Sequence, residues 1–306
     1  MSHGPRLTVG IASKGRAASL ARCIASLICL NEVLDEIIVV DDGSDQPMEP
    51  AVRTALNAAA QRKLRMIRFS PGRGVAAARS ECVRQAHTPW VLNLDDDAVV
   101  LSAAPVLEAL GTIGADSRIL AVAFAQTAEN GDPWPVGAQP APVDYPCWTA
   151  AFIGFAHLLR RDAFLALGGF REQLVINGEE RELCLRALDA GFGVVYLPAA
   201  RVAHLADPAN RDVRHYLHLT VRNGVLSSIY DDPFLLLAVR APIQLYAYFS
   251  MRRGWNVDDP GGFWRVLRSL GRDLPQAVRQ RHAVRWATIR RWRELVRRSP
   301  PYHGPE

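Results

Sequence analysis

The sequence predicts an α/β fold, a mainly parallel central sheet flanked by helices and followed by a helical C-terminal region. Three observations carry this expectation. Short apolar runs alternate with stretches of helical spacing between Leu7 and Asp97, the pattern of βαβ units. Those runs are continuously apolar, as strands covered on both faces must be. Two of them end in clustered acids, Asp41-Asp42 and Asp95-Asp96-Asp97, at the edge where open α/β sheets bind ligands.

The elements follow in order. Leu7 to Ala12 reads as a first strand, Ser13-Lys14-Gly15-Arg16 as a polar turn, and Ala17 to Leu30 as a helix with Leu20, Ile24, Leu27 and Ile28 on one face. Glu36 to Val40 is a second strand, residues 49–62 a helix, Leu64 to Phe69 a third strand. Pro71-Gly72-Arg73-Gly74 is a turn, Val75 to Ala86 a helix, and Trp90 to Leu94 a fourth strand. Ile119 to Phe124 and Ala151 to Arg160 read as further strands. Arg161-Asp162 leads a short helix, and Gly193 to Pro198 with Arg201 to His204 closes the core.

Length and composition set bounds. The chain has 306 residues, 49% hydrophobic and 22% charged, enough for a large buried core. Five scattered cysteines without a CxxC pair are expected as reduced thiols, with no disulfide framework or zinc site. The polar start, Met1 to Arg6, reads as lacking a secretory signal, so the expected location is cytoplasmic, or peripheral at the inner face of the cytoplasmic membrane. The net charge of +5 is uneven. Residues 276–298 hold eight arginines against Glu294, a charge of +7, which leaves the rest at −2. Nucleic acid is therefore not an expected partner.

The acidic triplet is the main functional signal. Adjacent carboxylates repel unless a cation or hydrogen-bond donors neutralise them, and hard oxygen ligands suit Mg²⁺ or Mn²⁺. The turn after the first strand is not G-x-G-x-x-G, which argues against a nicotinamide enzyme, and there is no P-loop. Four segments then occur in order: Val9 to Arg16, Ile38 to Ser44, Gly72 to Ser80, and Leu92 to Asp97. Together they resemble a family 2 glycosyltransferase of the GT-A, Rossmann-like fold, over roughly residues 6–225.

The resemblance implies an inverting, metal-dependent transfer of a sugar from a UDP, dTDP or GDP sugar to a hydroxyl of a saccharide or lipid-linked acceptor. Such a reaction would serve cell-surface polysaccharide or glycolipid synthesis. It places Ala12, Lys14, Arg16, Asp42, Arg79, Asp95 and Asp96 at the nucleotide, with Asp42 on the base or ribose and Arg79 toward base or diphosphate. It places Asp97, Asp95 and His204 on Mn²⁺ or Mg²⁺. Where the family has Glu-Asp-x-Asp-Leu, this chain has Glu179-Glu180-Arg181-Glu182-Leu183, so the general base is Glu180 or its neighbour Glu179. Trp148 and Gly154 are expected beside the acceptor. The implied organisation is a catalytic domain over residues 1–206, with a nucleotide-sugar half to residue 100 and an acceptor half after it. A helical region over 207–306 follows. A non-catalytic nucleotide-sugar-binding or scaffold protein is the alternative, and a nucleotidyltransferase a weaker third, since Lys14-Gly15-Arg16 is short for its loop.

In the C-terminal region, Phe234 to Met251 is apolar but carries Arg240 and Pro242, and reads as too short and interrupted to span a bilayer. A final helix at about 276–298 would bring Val278, Val284, Ile289, Trp292 and Val296 into one arc. It reads as a contact for an anionic membrane surface, or as a helix packed on the core or on a second subunit of a homodimer.

Overall fold

In the computed structural model, residues 6–206 and 212–305 are described. The reading of the N-terminus, residues 1–5, lies outside the described residues, as does the start of the C-terminal region at 207–211. The first half alternates as expected: β1 (Leu7–Ser13), α1 (Ala17–Ser26), β2 (Leu34–Asp41), α2 (Glu49–Ala55), α3 (Ala58–Lys63), β3 (Leu64–Arg68), α4 (Val75–Gln85) and β4 (Trp90–Asp95). Then follow β5 (Ala98–Val99), α5 (Ala104–Ala115), β6 (Ile119–Thr127), β7 (Cys147–Thr149), β8 (Ala156–Arg160), α6 (Arg161–Ala166), α7 (Glu179–Asp189) and β9 (Gly193–His204). Among the described residues, four helices follow: α8 (Val213–Asp231), α9 (Phe234–Gly254), α10 (Gly262–Arg279) and α11 (Trp286–Arg298).

One sheet joins the strands in the order β3-β2-β1-β4-β8-β6-β9-β5, with β7 also paired to β9. It is mixed. β1, β2, β3 and β4 are parallel, as are β6 and β9, but β8 runs antiparallel between β4 and β6. The stretch between β6 and β8 contains no α-helix to serve as a crossover, so β8 returns beside β6 in the opposite sense. The sheet's two faces are apolar, with Val9, Ile11, Val39 and Leu92 buried on one and Ile38, Val40, Val91 and Leu120 on the other. That is why the central strands β1, β2 and β4 read as largely apolar runs, while the edge strand β3 carries Arg65 and Arg68.

Several expected elements are shorter or divided. The helix over 49–62 breaks at Asn57, whose side chain accepts from Ala60 N at 2.9 Å and starts a new helix. The strand expected over 151–160 begins only at Ala156; Phe155 O still accepts from Asp95 N at 2.8 Å, but Gly154 turns against the Arg79 and Glu180 side chains. The basic helix over 276–298 is not one helix. Residues 280–285 run across the end of α8, His282 N donating to Tyr230 O at 2.9 Å and Val284 N to Asp231 O at 2.8 Å. In α11, Ile289, Trp292 and Leu295 are buried against the body, with Arg181 over the Trp292 ring, while Val278 and Val296 are exposed. The predicted apolar arc is thus split, and its buried part is covered by protein. α9, conversely, runs 21 residues through Pro242 and is long and apolar enough to cross a membrane by length and composition, which corrects the expectation that it is too short and interrupted. All five cysteines are free.

Candidate active site

The C-terminal ends of β1, β2 and β4 open on a cleft of about 930 Å³. Twelve of the thirteen side chains or backbone positions singled out from sequence line it: Ala12, Lys14, Arg16, Asp42, Arg79, Asp95, Asp96, Asp97, Gly154, Glu179, Glu180 and His204. Trp148 does not. Strand β7 pairs with β9, and the indole fills space left by Gly193 between Arg118 and Tyr302. The expectation of an acceptor contact at Trp148 is corrected accordingly.

Two arginines organise the carboxylates. Arg79, on α4, is buried and holds three acids at once: Asp95 at 2.6 Å, Glu180 at 3.1 Å and Glu179 at 3.2 Å. Burial alone would favour its neutral form, but the three carboxylates outweigh it and raise its pKa. Arg16, at the turn after β1, meets Asp96 at 2.8 Å and Asp97 at 2.9 Å. Ser13 Oγ donates to the other Asp96 oxygen at 2.5 Å. Burial pushes Asp96 up to about 6 despite those partners. Asp97 goes the other way: burial would raise it, yet His204 and Arg16 beside it hold it well below the usual carboxylate range.

The glutamates differ sharply. Glu179 is fully buried, and burial followed by the Glu180 charge pushes it up to about 8, against the pull of Arg79. Glu180 keeps a side chain 19% exposed to the cleft. Glu182 points away, buried under Arg171 and Arg186, each at 2.6 Å. Gly154 explains how the group closes: a Cβ there would lie 2.3 Å from Glu180 Oε1 and 2.5 Å from an Arg79 nitrogen. Gly154 therefore borders the Glu180–Arg79 pair, and any side chain would displace it.

Asp42 accepts from the backbone of the Gly-Arg-Gly loop, Arg73 N at 2.6 Å and Gly74 N at 2.9 Å. The loop fits so closely that a Cβ on Gly72 would meet Asp42 O at 2.3 Å. Asp41 forms the turn, accepting from Ser44 N at 3.0 Å. Asp42 thus links the β2 turn to the loop before α4, with lone pairs still open to the cleft.

Asp95, Asp97 and His204 offer two oxygens and a nitrogen, all within 4.8 Å of one another. The topology brings them there, since β5 pairs antiparallel with β9 and sets Ala98, next to Asp97, opposite His204. His204 Nε2 is 3.5 Å from Asp97 Oδ1, too far for a strong hydrogen bond, and that oxygen is buried without a hydrogen-bond partner among the described residues. Its other nitrogen, Nδ1, lies 2.5 Å from Gln126 Oε1. The Gln126 amide is oriented by its own Nε2, which donates to Ala138 O. In the tautomer with its proton on Nδ1, the ring donates to Gln126 and leaves the Nε2 lone pair for a cation; the ring is stacked between Trp134 and Phe155. An unsatisfied oxygen, a second carboxylate and an oriented imidazole fit a divalent cation.

Gln126 was not visible as a site residue from sequence; only the β6–β9 pairing sets it beside His204. Asp212, His215, Tyr216, Thr220 and Trp255 also line the cleft and were missed, because α8 and the end of α9 fold back over it. Asp212 carries a local signal, capping α8 by accepting from His215 N at 3.1 Å.

The family model described as Glycosyl transferase family 2 matches residues 8–167. The chain belongs to glycosyltransferase family 2. Its fold is the GT-A fold. It is 30% identical over 211 residues to pre-mycofactocin glycosyltransferase of Mycobacterium tuberculosis, covering 65% of this chain and 42% of that protein. It is 29% identical over 196 residues to the succinoglycan biosynthesis protein ExoU of Rhizobium meliloti, covering 59% of this chain and 56% of the other. The chain thus spans about half the length of these relatives. Among solved structures, the mannosyltransferase PcManGT of Pyrobaculum calidifontis, in complex with GDP-Man and Mn²⁺, superposes with a TM-score of 0.60 at 16% identity, covering 96% of this chain and 86% of that one. GalNAc-T7 with UDP, GalNAc and Mn²⁺ gives 0.54 at 18% identity over 70% of this chain and 48% of its own.

Proposed function

We propose that the enzyme transfers a sugar from a nucleoside-diphosphate sugar to an acceptor hydroxyl with inversion, Glu180 acting as the general base. The carrying observation is the contrast between the glutamates. Glu182 is locked beneath two arginines and Glu179 is buried and retains a proton near neutrality, which leaves Glu180 as the accessible carboxylate of the three. Glu180 takes the proton of the acceptor hydroxyl as its oxygen attacks the anomeric carbon. The bond from that carbon to the diphosphate breaks, and its electron pair leaves on the diphosphate.

Arg79 positions Glu180 and Asp95 on one guanidinium, so base and donor site keep a fixed relation. Asp95, Asp97 and His204 would hold Mn²⁺ or Mg²⁺, which when bound neutralises charge on the leaving diphosphate. Two fold neighbours carry Mn²⁺ with a nucleotide or nucleotide sugar, which supports this reading. Lys14 and Arg16 border the same cleft and supply cationic donors for phosphate oxygens. Asp42, Asp95 and Asp96 face the nucleoside, whose base is uracil, thymine or guanine, and Gly154 borders the acceptor side. The acceptor is a saccharide hydroxyl, free or lipid-linked, in polysaccharide or glycolipid synthesis, carried out at the cytoplasmic side.

The test is a screen of UDP, GDP and dTDP sugars for cation-dependent release of the nucleoside diphosphate, with Asp97→Ala and His204→Ala beside the parent chain. The parent is expected to turn over one donor class with Mn²⁺, and Asp97→Ala to lose it. Full activity in Asp97→Ala would overturn the cation assignment.

A further inference from the structure

We propose that the outward face of α9, with the start of α10, is a docking surface for an anionic lipid bilayer. Phe234, Leu235, Val239, Ile243, Tyr246 and Phe249 recur along one side of α9, and Phe234 and Tyr246 are 74% and 72% exposed. An apolar stripe of this length on a folded surface marks a contact site. The opposite side is already occupied: Tyr248 is buried, and Leu245 and Met251 pack with Leu217 and Val221 of α8. Arg240 is bound to Asp232 at 2.8 Å. A helix fixed along the protein in this way lies in a membrane surface and does not cross it.

Charge selects the occupant. α9 contains three arginines and no acid, with Arg252 and Arg253 in its last turn. α10 continues the surface. Its Phe263 ring lies 5.0 Å from Phe249, the neighbouring Trp264 is 69% exposed, and Arg268 and Arg272 are exposed beyond it. Asp258, the exposed acid between the helices, is 3.9 Å from Arg252. Two copies joined through this face by a twofold axis would bring like-charged rims together. Anionic headgroups would complement them, with the aromatic residues at headgroup depth.

The stripe also leads to the cleft. Trp255 follows directly on α9, lines the cleft and lies 6.1 Å from Tyr216, another lining residue. Docking would set the bilayer beside the cleft mouth, where a lipid-linked acceptor would be presented. That last consequence rests on the proposed transfer reaction; the docking does not.

The full chain is tested by co-sedimentation with phosphatidylcholine vesicles and with mixed phosphatidylcholine–phosphatidylglycerol vesicles, at low and high salt. Binding to the mixed vesicles only, weakened by salt, is expected, and Ile243→Glu with Tyr246→Glu should lower it roughly tenfold or more. Val296→Glu, on the exposed side of α11, should bind as the parent does. Transfer to a water-soluble acceptor should be unchanged in both variants, which separates failure of docking from failure of the enzyme reading. Should the double variant not fold, brominated phosphatidylglycerol must still quench parent fluorescence more than that of Trp264→Phe. Absence of binding to mixed vesicles, equal binding by a folded double variant, or equal quenching would overturn the proposal. So would a parent dimer in sedimentation velocity that Ile243→Glu with Tyr246→Glu converts to monomer, which would assign the face to a second copy.

Discussion

Arg79 and Arg16 both grip the acidic cleft, yet they are built for different tasks. Arg79 has 5% of its side chain exposed and three carboxylates on one guanidinium. Arg16 stands at a turn with 35% exposed and bridges Asp96 and Asp97. The first is a buried structural clamp whose loss strands charges in a low-dielectric interior. The second occupies carboxylate oxygens from the solvent side, one of them on Asp97 of the proposed cation set. Arg79 is locked by burial and three partners, whereas Arg16 is open to solvent and holds two.

The largest effect should follow from breaking the fixed clamp. Arg79→Met leaves Glu179 and Glu180 without their shared cation and is expected to cost about 3–5 kcal/mol of stability, read by urea denaturation. Next comes the proton held beneath it. Glu179 moves from an ordinary value of 4.5 to about 8 in the folded protein, so the native state binds more protons than the unfolded chain across that window. Its contribution is fully present below the unfolded value and is lost as pH rises through the folded one, by about a few kcal/mol. Denaturation midpoints should therefore fall between these pH values, and Glu179→Gln should flatten that part of the curve. A smaller effect is expected at Gly154→Ala, whose added Cβ displaces Glu180 and Arg79. It should lower kcat by roughly a hundredfold, with a smaller loss of nucleotide affinity because the displaced Arg79 also holds Asp95. The smallest belongs to Arg16. Arg16→Ala should raise Mn²⁺ affinity by roughly threefold to tenfold in a titration followed by electron paramagnetic resonance, because guanidinium and cation compete for Asp97. Unchanged or weaker Mn²⁺ binding would show that Arg16 and the ion do not share it.

The same division explains what could be read in advance. Asp42 and Asp95 to Asp97 stand at strand ends, and apolar runs announce those strands, so their convergence on one cleft was legible. Gln126 was not: it is a polar residue inside an apolar strand, and its partner His204 lies 78 positions away. The resemblance put the base at Glu180 with Glu179 as the alternative, and the further support proposed for Glu180 comes from burial, which spacing does not report. The final helix misled because Val284 and Ile289 fit one arc only if the chain stays helical. Residues 280–285 instead satisfy carbonyls at the end of α8, so periodicity was broken by a tertiary hydrogen-bond partner. Trp148 misled similarly, as an indole in a loop-rich stretch reads equally as a sugar platform or as packing, and Gly193 decides for packing.

The assignment of the base bears the most weight, and it is open to direct measurement. Single-turnover transfer should be followed for Glu180→Gln and Glu179→Gln, with nucleoside-diphosphate affinity determined for each. Glu180→Gln is expected to lose roughly 10²–10⁴ in the transfer step with nucleotide affinity retained, and Glu179→Gln, which keeps a neutral group where a protonated acid stood, to transfer within about tenfold of the parent. Rapid transfer by Glu180→Gln, or a loss confined to Glu179→Gln, would contradict it.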